Sequence, residues 1–436
     1  MTQDLRTVAL FGCVAVLIIG TGMYQSWDLA LTILNMGLVS AILALGVNLQ
    51  WGLAGLFNVG VMGFVALGGL AVVLVSMPPV PEAWSAGGVG ILAGLAIGAA
   101  SMVAAVMTYR KTPKRWRGWA TGAVLLVGFV IYRQVFGPSV VAVESVNPAL
   151  EGYLGGLNPG GSEAYRDYGW MTVLAWPVGG VLAAGAAWVI GKTALGLRSD
   201  YLAIATLGIA EIIIAVLKNE DWLSRGVKNV SGLPRPVPYE IDLQNSPDFV
   251  ERAGSLGLSA TQASTLFVKA NYGIMFALVL IVLLVLAQLA LNSPWGRMMR
   301  AIRDNETSAR AMGKDVTARH LQVFILGSAL CGLAGAMMTT LDGQLTPTSY
   351  QPLRYTFLIW VMVIVGGSGN NLGAVLGGML IWFLWVQVEP AGTWLMQIIT
   401  AEMPENSDLR AHLLNSAQHM RLLTMGVVLL LVLVLL

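Results

Sequence analysis

Charged side chains are scarce in this sequence of 436 residues, and their scarcity excludes most soluble folds. Only 11% of the residues are charged, against about 25% in an ordinary soluble domain, while 56% are hydrophobic. The net charge is only +2, which gives no electrostatic basis for binding nucleic acid. The composition therefore predicts an all-α integral membrane protein that exposes much of its surface to the lipid bilayer.

Cysteine and histidine are also rare. The two cysteines, Cys13 and Cys331, both lie in apolar runs, where we expect small hydrophobic side chains rather than a disulfide. The three histidines show no metal-ligand spacing, and no catalytic arrangement lies near a membrane face. The nearest approach to a P-loop, "AAWVIGKT" at 186–193, has alanine in place of the first glycine and ends an apolar run. We therefore expect no metal, no cofactor and no enzymatic activity in this chain.

Long apolar runs, by contrast, occur about a dozen times, which predicts a polytopic helical bundle of about 10–12 spans within a single transmembrane domain, 1–436. The runs lie near 7–24, 29–49, 53–76, 87–108, 118–135, 170–191, 201–217, 271–291, 321–341, 356–366, 372–388 and 421–436. The run at 356–366 is short, so it is either a half-helix or part of a helix that begins at about Pro352. The first run is interpreted as a membrane anchor.

The basic residues predict the orientation of these spans. "RKTPKRWR" at 110–117 carries five basic residues and no acid, and 292–320 carries six basic residues against three acids. A third short loop holds Lys192 and Arg198. All three loops fall on one side, which we expect to be the cytoplasm together with the N-terminus. The loops predicted on the outer side are about 136–169, 218–270 and 389–420, the last being an interfacial helix and a polar loop.

The loop 292–320 contains signals for a short helix. Asp304 or Asn305 can cap its start, Glu306 favours its first turn, and Gly313 can end it. Ile302, Ala309 and Met312 form an apolar stripe along it. Spacing leaves two interpretations open: a helix that docks into a cytosolic partner, or an interfacial connector that obeys the positive-inside rule.

Glycine is abundant, at 51 residues, and its spacing predicts close helix packing. Gly369, Gly373 and Gly377 repeat every four residues, as on a small-residue face where two backbones approach each other. The glycines around the run 53–76 favour a broken or kinked helix, which either packs densely or lines a pathway. Asn58 is a polar side chain in this region, with either an interhelical hydrogen bond or a ligand as its partner.

Four blocks of sequence resemble one family of permeases. "ETSARAMG", at 306–313, resembles the EAA-type loop of ABC importer permeases, with Glu306, Ala309, Ala311 and Gly313 at matching positions. Its surroundings resemble the branched-chain amino-acid permease family, and the LivM-type subunits in particular. Three further blocks agree in the family's order: "LALGVNLQWGLAGLFNVGVMGFVALGG", "GLRSDYLAIATLGIAEI" and "VIVGGSGNNLGAVLGG".

The resemblance implies a type II ABC importer-like permease fold in the bacterial inner membrane. It implies three kinds of partner besides the lipid bilayer: a LivH-type permease, two cytosolic ATPase subunits that bind the ATP, and a periplasmic binding protein. Glu306, Ala309, Ala311 and Gly313 would then couple this chain to the ATPases. The implied substrates are branched-chain or other hydrophobic amino acids, with urea or amides as the alternative.

Glu211 is the remaining polar residue of interest, because it lies near the centre of the apolar run 201–217. A lone carboxylate at that depth costs about 3 kcal/mol on insertion scales. Gly208 and Ala215 lie beside it on a helix, so we expect this face to meet protein. The carboxylate is a structural or gating element, a pathway residue that meets the ammonium of an amino acid, or the proton-coupling group of a secondary transporter. Asp200 and Tyr201, at the predicted cytoplasmic edge of this span, are further candidates for the pathway or its gate.

Overall fold

The chain is almost entirely helical in a computed structural model, which describes residues 3–146, 152–160, 169–197, 199–401, 403–404 and 407–435. Two short strands, β1 (Val230–Ser231) and β2 (Gln344–Leu345), pair antiparallel. The helices are α1 (Gln3–Tyr24), α2 (Trp27–Leu53), α3 (Val61–Ser76), α4 (Pro81–Lys111), α5 (Arg117–Glu144), α6 (Trp170–Ala194), α7 (Ser199–Asn219), α8 (Asp221–Ser224), α9 (Glu240–Gln244), α10 (Pro247–Ser255), α11 (Ala260–Asn292), α12 (Pro294–Asp304), α13 (Glu306–Ala311), α14 (Val316–Asp342), α15 (Leu353–Gly366), α16 (Asn371–Ile399), α17 (Asp408–Ser416) and α18 (Met420–Leu435).

Nine of the described helices are long and apolar enough to cross a membrane. They are α1, α2, α4, α5, α6, α7, α11, α14 and α16. Three shorter apolar helices, α3, α15 and the first part of α18, account for the remaining predicted runs. The prediction of an all-α, multi-pass membrane protein is confirmed.

Two predicted spans have different bounds in the structure. The run 53–76 is interrupted, because Leu53 ends α2 and the next helix begins only at Val61. The short run 356–366 belongs to a longer helix that starts at Leu353, directly after Pro352. The second of the two alternatives for that run is therefore correct.

The predicted outer segment 389–420 is continuous with the preceding span. Helix α16 continues through Pro390 to Ile399, and its 29 residues extend about 43 Å, more than the roughly 30 Å of a hydrocarbon core. An ion pair between Glu389 and Arg421 joins this extension to α18. The residues predicted to form an interfacial helix, around Trp394 and Ile398, belong to the last turns of α16, and a further helix, α17, follows at Asp408–Ser416.

Backbone hydrogen bonds join several connecting segments at one end of the bundle, which we call the loop end. Here Val230 of β1 pairs with Leu345 of β2. Leu154 N–H donates to the carbonyl oxygen of Trp222, and Val80 N–H donates to the carbonyl oxygen of Leu154, at 3.0 and 3.1 Å. The predicted outer loop 136–169 lies partly outside the described residues.

The opposite end carries the loop 110–117 and the helix pair α12–α13, and we call it the basic end. Helices α4 and α14 connect the two ends, because each has one terminus beside the bonded loops and the other beside a basic segment. Lys192 lies in the last turn of α6, which is also at the basic end. Arg198 lies outside the described residues. The basic segments therefore share one end of the molecule, as their sequence positions predict.

The loop end also buries a tyrosine. The hydroxyl of Tyr350 lies 3.1 Å from Oγ1 of Thr339, beside Gly69, where an added Cβ would overlap with it. Burial raises the pKa of Tyr350, so we expect the phenol to stay neutral at physiological pH.

The centre of the bundle is formed by α2, α3 and α14, in each of which at least half of the residues are buried. Gly68 of α3, Gly179 of α6 and Gly332 of α14 meet where three helices cross. A Cβ on Gly68 would overlap with the carbonyl of Gly332. Small residues thus bring the backbones together, as is typical of helix packing in lipid.

Helices α4 and α5 form a hairpin that stands apart from this centre. They pack on each other and join the remaining described chain at the loop end, where Ile91 and Val143 cluster with Leu154 and Trp222. Few of the side chains in either helix are buried. Within the described residues, the hairpin is therefore an appendage attached to the bundle mainly at the loop end.

Candidate functional site

The interruption between α2 and α3 places irregular backbone inside the bundle. Helix α2 ends in π-helical turns, Asn48–Leu53, and Gly55 has a φ of +69°, which favours glycine. At membrane depth, backbone groups released from a helix need partners in the protein. Val59 N–H donates to Thr206 Oγ1 at 3.1 Å, and Met62 N–H donates to Thr356 Oγ1 at 3.2 Å. Helices α7 and α15 therefore stabilise the break.

Asn58 lies in the break and is fully buried. Its Nδ2 donates to Gln50 Oε1 at 2.8 Å, and its Oδ1 accepts from the N–H of Gly60 at 2.9 Å. Gln50 Nε2 in turn donates to Ser328 Oγ and to the carbonyl oxygen of Phe324 in α14, at 3.0 and 2.9 Å. Both ends of the Asn58 amide are thus engaged within the chain, and the side chain fixes the shape of the break.

Asn48 connects α2 to the turn that precedes α16. Its Oδ1 accepts from the N–H of Gly369 at 2.8 Å, and its Nδ2 donates to Asn371 Oδ1 at 3.0 Å. Asn371 Nδ2 donates to Gln288 Oε1 of α11 at 3.4 Å. A second buried polar network therefore links three elements that are far apart in the sequence.

Of the glycines at 369, 373 and 377, two lie on a face of α16 and one lies in the turn before it. Gly373 and Gly377 face α15, where an added Cβ would overlap with the carbonyl oxygens of Gly366 and Met362. Gly369 lies before the first residue of α16 and has a φ of +87°. The expected helix face therefore contains two of the three glycines, because the helix begins only after the turn.

The helix pair α12–α13 is built by capping residues at the basic end. Asn305 Oδ1 accepts from the N–H of Ser308 at 2.9 Å, so Asn305, rather than Asp304, caps α13. Gly313, with a φ of +77°, follows the helix end. A groove of about 300 Å³ lies between the two helices. It is lined by Met298, Ala301, Ile302, Asn305, Ser308, Ala309, Met312 and Lys314.

The four residues predicted to couple this chain to a partner lie on or beside α13. Glu306 is exposed and forms an ion pair of 2.6 Å with Arg310. Ala309 is partly buried in the groove, while Ala311 and Gly313 are exposed. Together with Met312, which is 79% exposed, they present a small and partly apolar surface away from the bundle.

Glu211 is exposed on α7, on the same face as Gly208 and Ala215. Within the described chain it does not face the bundle, so the described residues do not supply the protein contact expected for this face. The buried face of α7 carries Thr206 and Ala210 instead, because these residues pack against α3. Asp200 and Tyr201 are likewise exposed, at the basic-end terminus of α7.

Sequence reasoning missed several polar residues of this site. Gln50 and Gln288 interrupt apolar runs and were detectable on that ground. Thr206, Ser328 and Thr356 give no such signal, because hydroxyl side chains are common in membrane helices, where they often bond to the backbone. In the described part of the chain, no three His, Cys, Asp or Glu side chains come together in a way that could hold a metal ion.

Comparison with known proteins agrees with this architecture. Residues 153–433 match the model of one family, the branched-chain amino acid transport system permease component. This chain belongs to that family. The matched segment contains the α12–α13 pair and the turn at Gly369, and it begins after the α4–α5 hairpin.

Among curated relatives, the chain is 28% identical over 221 residues to the high-affinity branched-chain amino acid permease protein LivM of Salmonella typhimurium, covering 50% of each protein. It is 27% identical over 186 residues to a probable LivM of Methanocaldococcus jannaschii, covering 42% of this chain and 46% of the relative. A probable LivH of the same organism is 30% identical over 133 residues, which is 28% of this chain and 41% of that protein. The chain thus spans about half the length of the LivM relatives it matches. No solved structure matches.

Proposed function

We propose that this chain is one of two permease subunits of an ATP-driven importer, in which cytosolic ABC ATPase subunits bind and hydrolyse the ATP. One observation supports this proposal above the others. The α12–α13 pair exposes Glu306 and Ala311 and has a groove between its helices, while Met299 of α12 is fully buried in the core of the bundle. A helix pair of this kind suits the transmission of motion from a partner.

The proposed orientation places the basic end in the cytoplasm of a bacterial inner membrane. Asp28, at the start of α2, pairs with the ammonium of Lys269 at 2.5 Å, and Lys269 lies in the loop-end half of α11. The turn between α1 and α2 is therefore at the loop end. The N-terminal end of α1 then lies on the cytoplasmic side. The loop end would face the periplasm and receive substrate from a binding protein. The capped α11 terminus and helices α9 and α10 would form part of that surface.

A second, LivH-type permease subunit is the proposed partner for the face of α7 that carries Gly208, Glu211 and Ala215. In a membrane, an exposed carboxylate at mid-span is unfavourable against lipid, and small residues favour helix association. Similarity to a LivH protein is consistent with two related subunits. At that contact, Glu211 either bonds to the second subunit or faces a substrate pathway between the two subunits.

Ion-coupled secondary transport is the competing mechanism, and the described residues favour it less. A proton relay needs further titratable groups near Glu211. In the described spans, the other acids lie near helix ends, except Glu389, which is paired with Arg421. The α12–α13 pair would also have no partner in such a transporter.

Branched-chain amino acids are the proposed substrates, since the family and the LivM relatives carry that description. Urea or amides are the alternative. The discriminating measurement is the ligand of the binding protein encoded beside this chain, together with uptake of that ligand by the assembled transporter.

The proposed ATP-driven mechanism is tested at α13. We expect Glu306→Ala and Gly313→Leu to reduce substrate uptake at least tenfold in proteoliposomes that contain the co-encoded subunits, because both changes alter the surface that meets the ATPase. Gly313→Leu also forces a side chain into a left-handed backbone conformation. Thr307→Ala, an exposed change on the same helix, serves as the control. Uptake at the wild-type rate in both variants would show that α13 is not the docking element.

A further inference from the structure

One side chain extends from the α12–α13 pair to the break in the bundle. Arg303, in the last turn of α12, donates a hydrogen bond from Nη1 to the carbonyl oxygen of Gly52. Its stem lies over Gly55, where an added Cβ would be 3.9 Å from Arg303 Cγ. Arg303 thus contacts α2 at the point where the regular helix ends.

The same guanidinium reaches the turn that precedes α16. An added Cβ on Gly369 would lie 3.0 Å from Arg303 Nη1. Gly52 and Gly369 also touch each other, because a Cβ on Gly52 would lie 2.5 Å from the backbone nitrogen of Gly369. Two of the four sequence blocks that resemble the permease family therefore meet at this arginine, which itself lies three residues before the block 306–313.

The chemistry of the contact suits an arginine. The last carbonyls of a helix have no partner within it, and a positive charge is favourable near that terminus. The planar guanidinium can donate in several fixed directions, whereas an ammonium is a point charge. The other two arginines of α12 differ in their partners: Arg297 donates to the carbonyl oxygen of Asn292 and Arg300 to that of Leu291, both at the preceding helix end.

We propose that Arg303 is the positioning residue that transmits movement of the α12–α13 pair to the break between α2 and α3. The inference rests on the proposed function for the source of that movement. Displacement of α12 pulls on the carbonyl of Gly52, and through the π-helical turns it reaches Gln50 and Asn58. Through Gly369 and Asn48 the same displacement reaches the start of α16. Arg303 is thus the contact through which one input moves two elements of the bundle.

The contact can be tested on the purified full chain by hydrogen exchange in lipid nanodiscs. We expect Arg303→Gln to raise amide exchange several-fold in peptides that cover 48–60 and 366–371. Arg300→Gln removes an equal charge from the same helix and should leave these peptides unchanged. Wild-type protection of both segments in Arg303→Gln would overturn the proposal.

The role in transmission is tested in the assembled transporter with its co-encoded subunits. Arg303→Gln should keep ATP hydrolysis within twofold of wild type and lower uptake per ATP hydrolysed at least tenfold. Arg303→Lys, which keeps one donor for Gly52, should restore part of that ratio. An unchanged ratio in Arg303→Gln, or loss of the ATPase from its complex, would show that Arg303 does not transmit movement. Failure of the wild-type chain to bind any ATPase would instead contradict the proposed function, while the exchange measurement would still report on the contact.

Discussion

At the scale of single residues, the polar side chains inside the apolar segments divide into two groups by their surroundings. Asn48, Gln50 and Asn58 are buried and bond to other elements of the chain. Glu211 is exposed on the surface of α7. Buried amides of this kind fix the shape of a break, since leaving one unsatisfied costs about 1–3 kcal/mol. An exposed carboxylate at similar depth is unfavourable against lipid, which supports the proposed contact with a second subunit.

Gly52 is the residue on which the close approach of the two turns depends. We expect Gly52→Ala to destabilise the protein by about 1–3 kcal/mol, as overpacking does, because its Cβ would overlap with Asn48 Oδ1 and approach Gly369. Gly185→Ala in α6 is the matched control, since nothing lies within 4 Å of that position. Thermal unfolding in detergent measures the difference. Equal melting temperatures in the two variants would contradict the proposed packing.

At the scale of helices, the bundle combines a tightly joined centre with weakly attached elements. The centre consists of α2, α3 and α14, whose glycines allow backbone contact. The α4–α5 hairpin, in contrast, depends on one small cluster at the loop end. Local stability follows the number of buried contacts, so we expect the hairpin to exchange its amides faster than the centre.

Trp222 is the side chain that secures this hairpin. Its ring packs edge-on against Phe136 of α5, with centroids 5.7 Å apart, and its backbone N–H donates to Glu144 Oε1 at 3.2 Å. We expect Trp222→Ala to raise hydrogen exchange in 81–144 several-fold while leaving 48–60 unchanged. Trp119→Ala, which removes an 82% exposed ring from the same hairpin, should have no such effect. Comparable protection in both variants would mean that the attachment lies elsewhere.

At the scale of the whole molecule, the exposed face of α7 supports the proposal that the chain functions in a complex. Within the described bundle, Thr206 on the buried face of α7 accepts a hydrogen bond from a backbone N–H of the break between α2 and α3. The opposite face offers Gly208 and Glu211 without a covering helix from the described chain. The same helix therefore stabilises the interior of one subunit and, we propose, contacts the next.

This contact is accessible to thiol labelling. We expect Gly208→Cys to react with a membrane-permeant maleimide in the isolated chain, and at least fivefold more slowly after copurification with the second permease. Position 208 tolerates the change because nothing lies within 4 Å of the glycine. Cys13, an exposed residue of α1, is the internal reference. Equal labelling of position 208 with and without the second permease would exclude this face as the contact.

The sequence alone determined the properties that depend on neighbouring residues. Hydropathy over about 20 residues identified the spans, and the distribution of Lys and Arg identified the basic end. The capping residues around Asn305 and Gly313 predicted α13. Each of these signals is local, since it depends on a residue and on neighbours within a few turns of helix.

Only the tertiary structure decided which polar groups meet. Arg303 and Gly52 are 251 positions apart, and no local pattern indicates that a guanidinium from the basic end bonds to that carbonyl. The sequence also did not determine whether Glu211 points into the bundle or away from it. Gly208 and Ala215 predict that their face packs closely against another helix, but not whether that helix belongs to the same chain. The helix crossings set both outcomes: small residues on α3, α6 and α14 fix how the helices pack, and that packing decides which faces remain exposed.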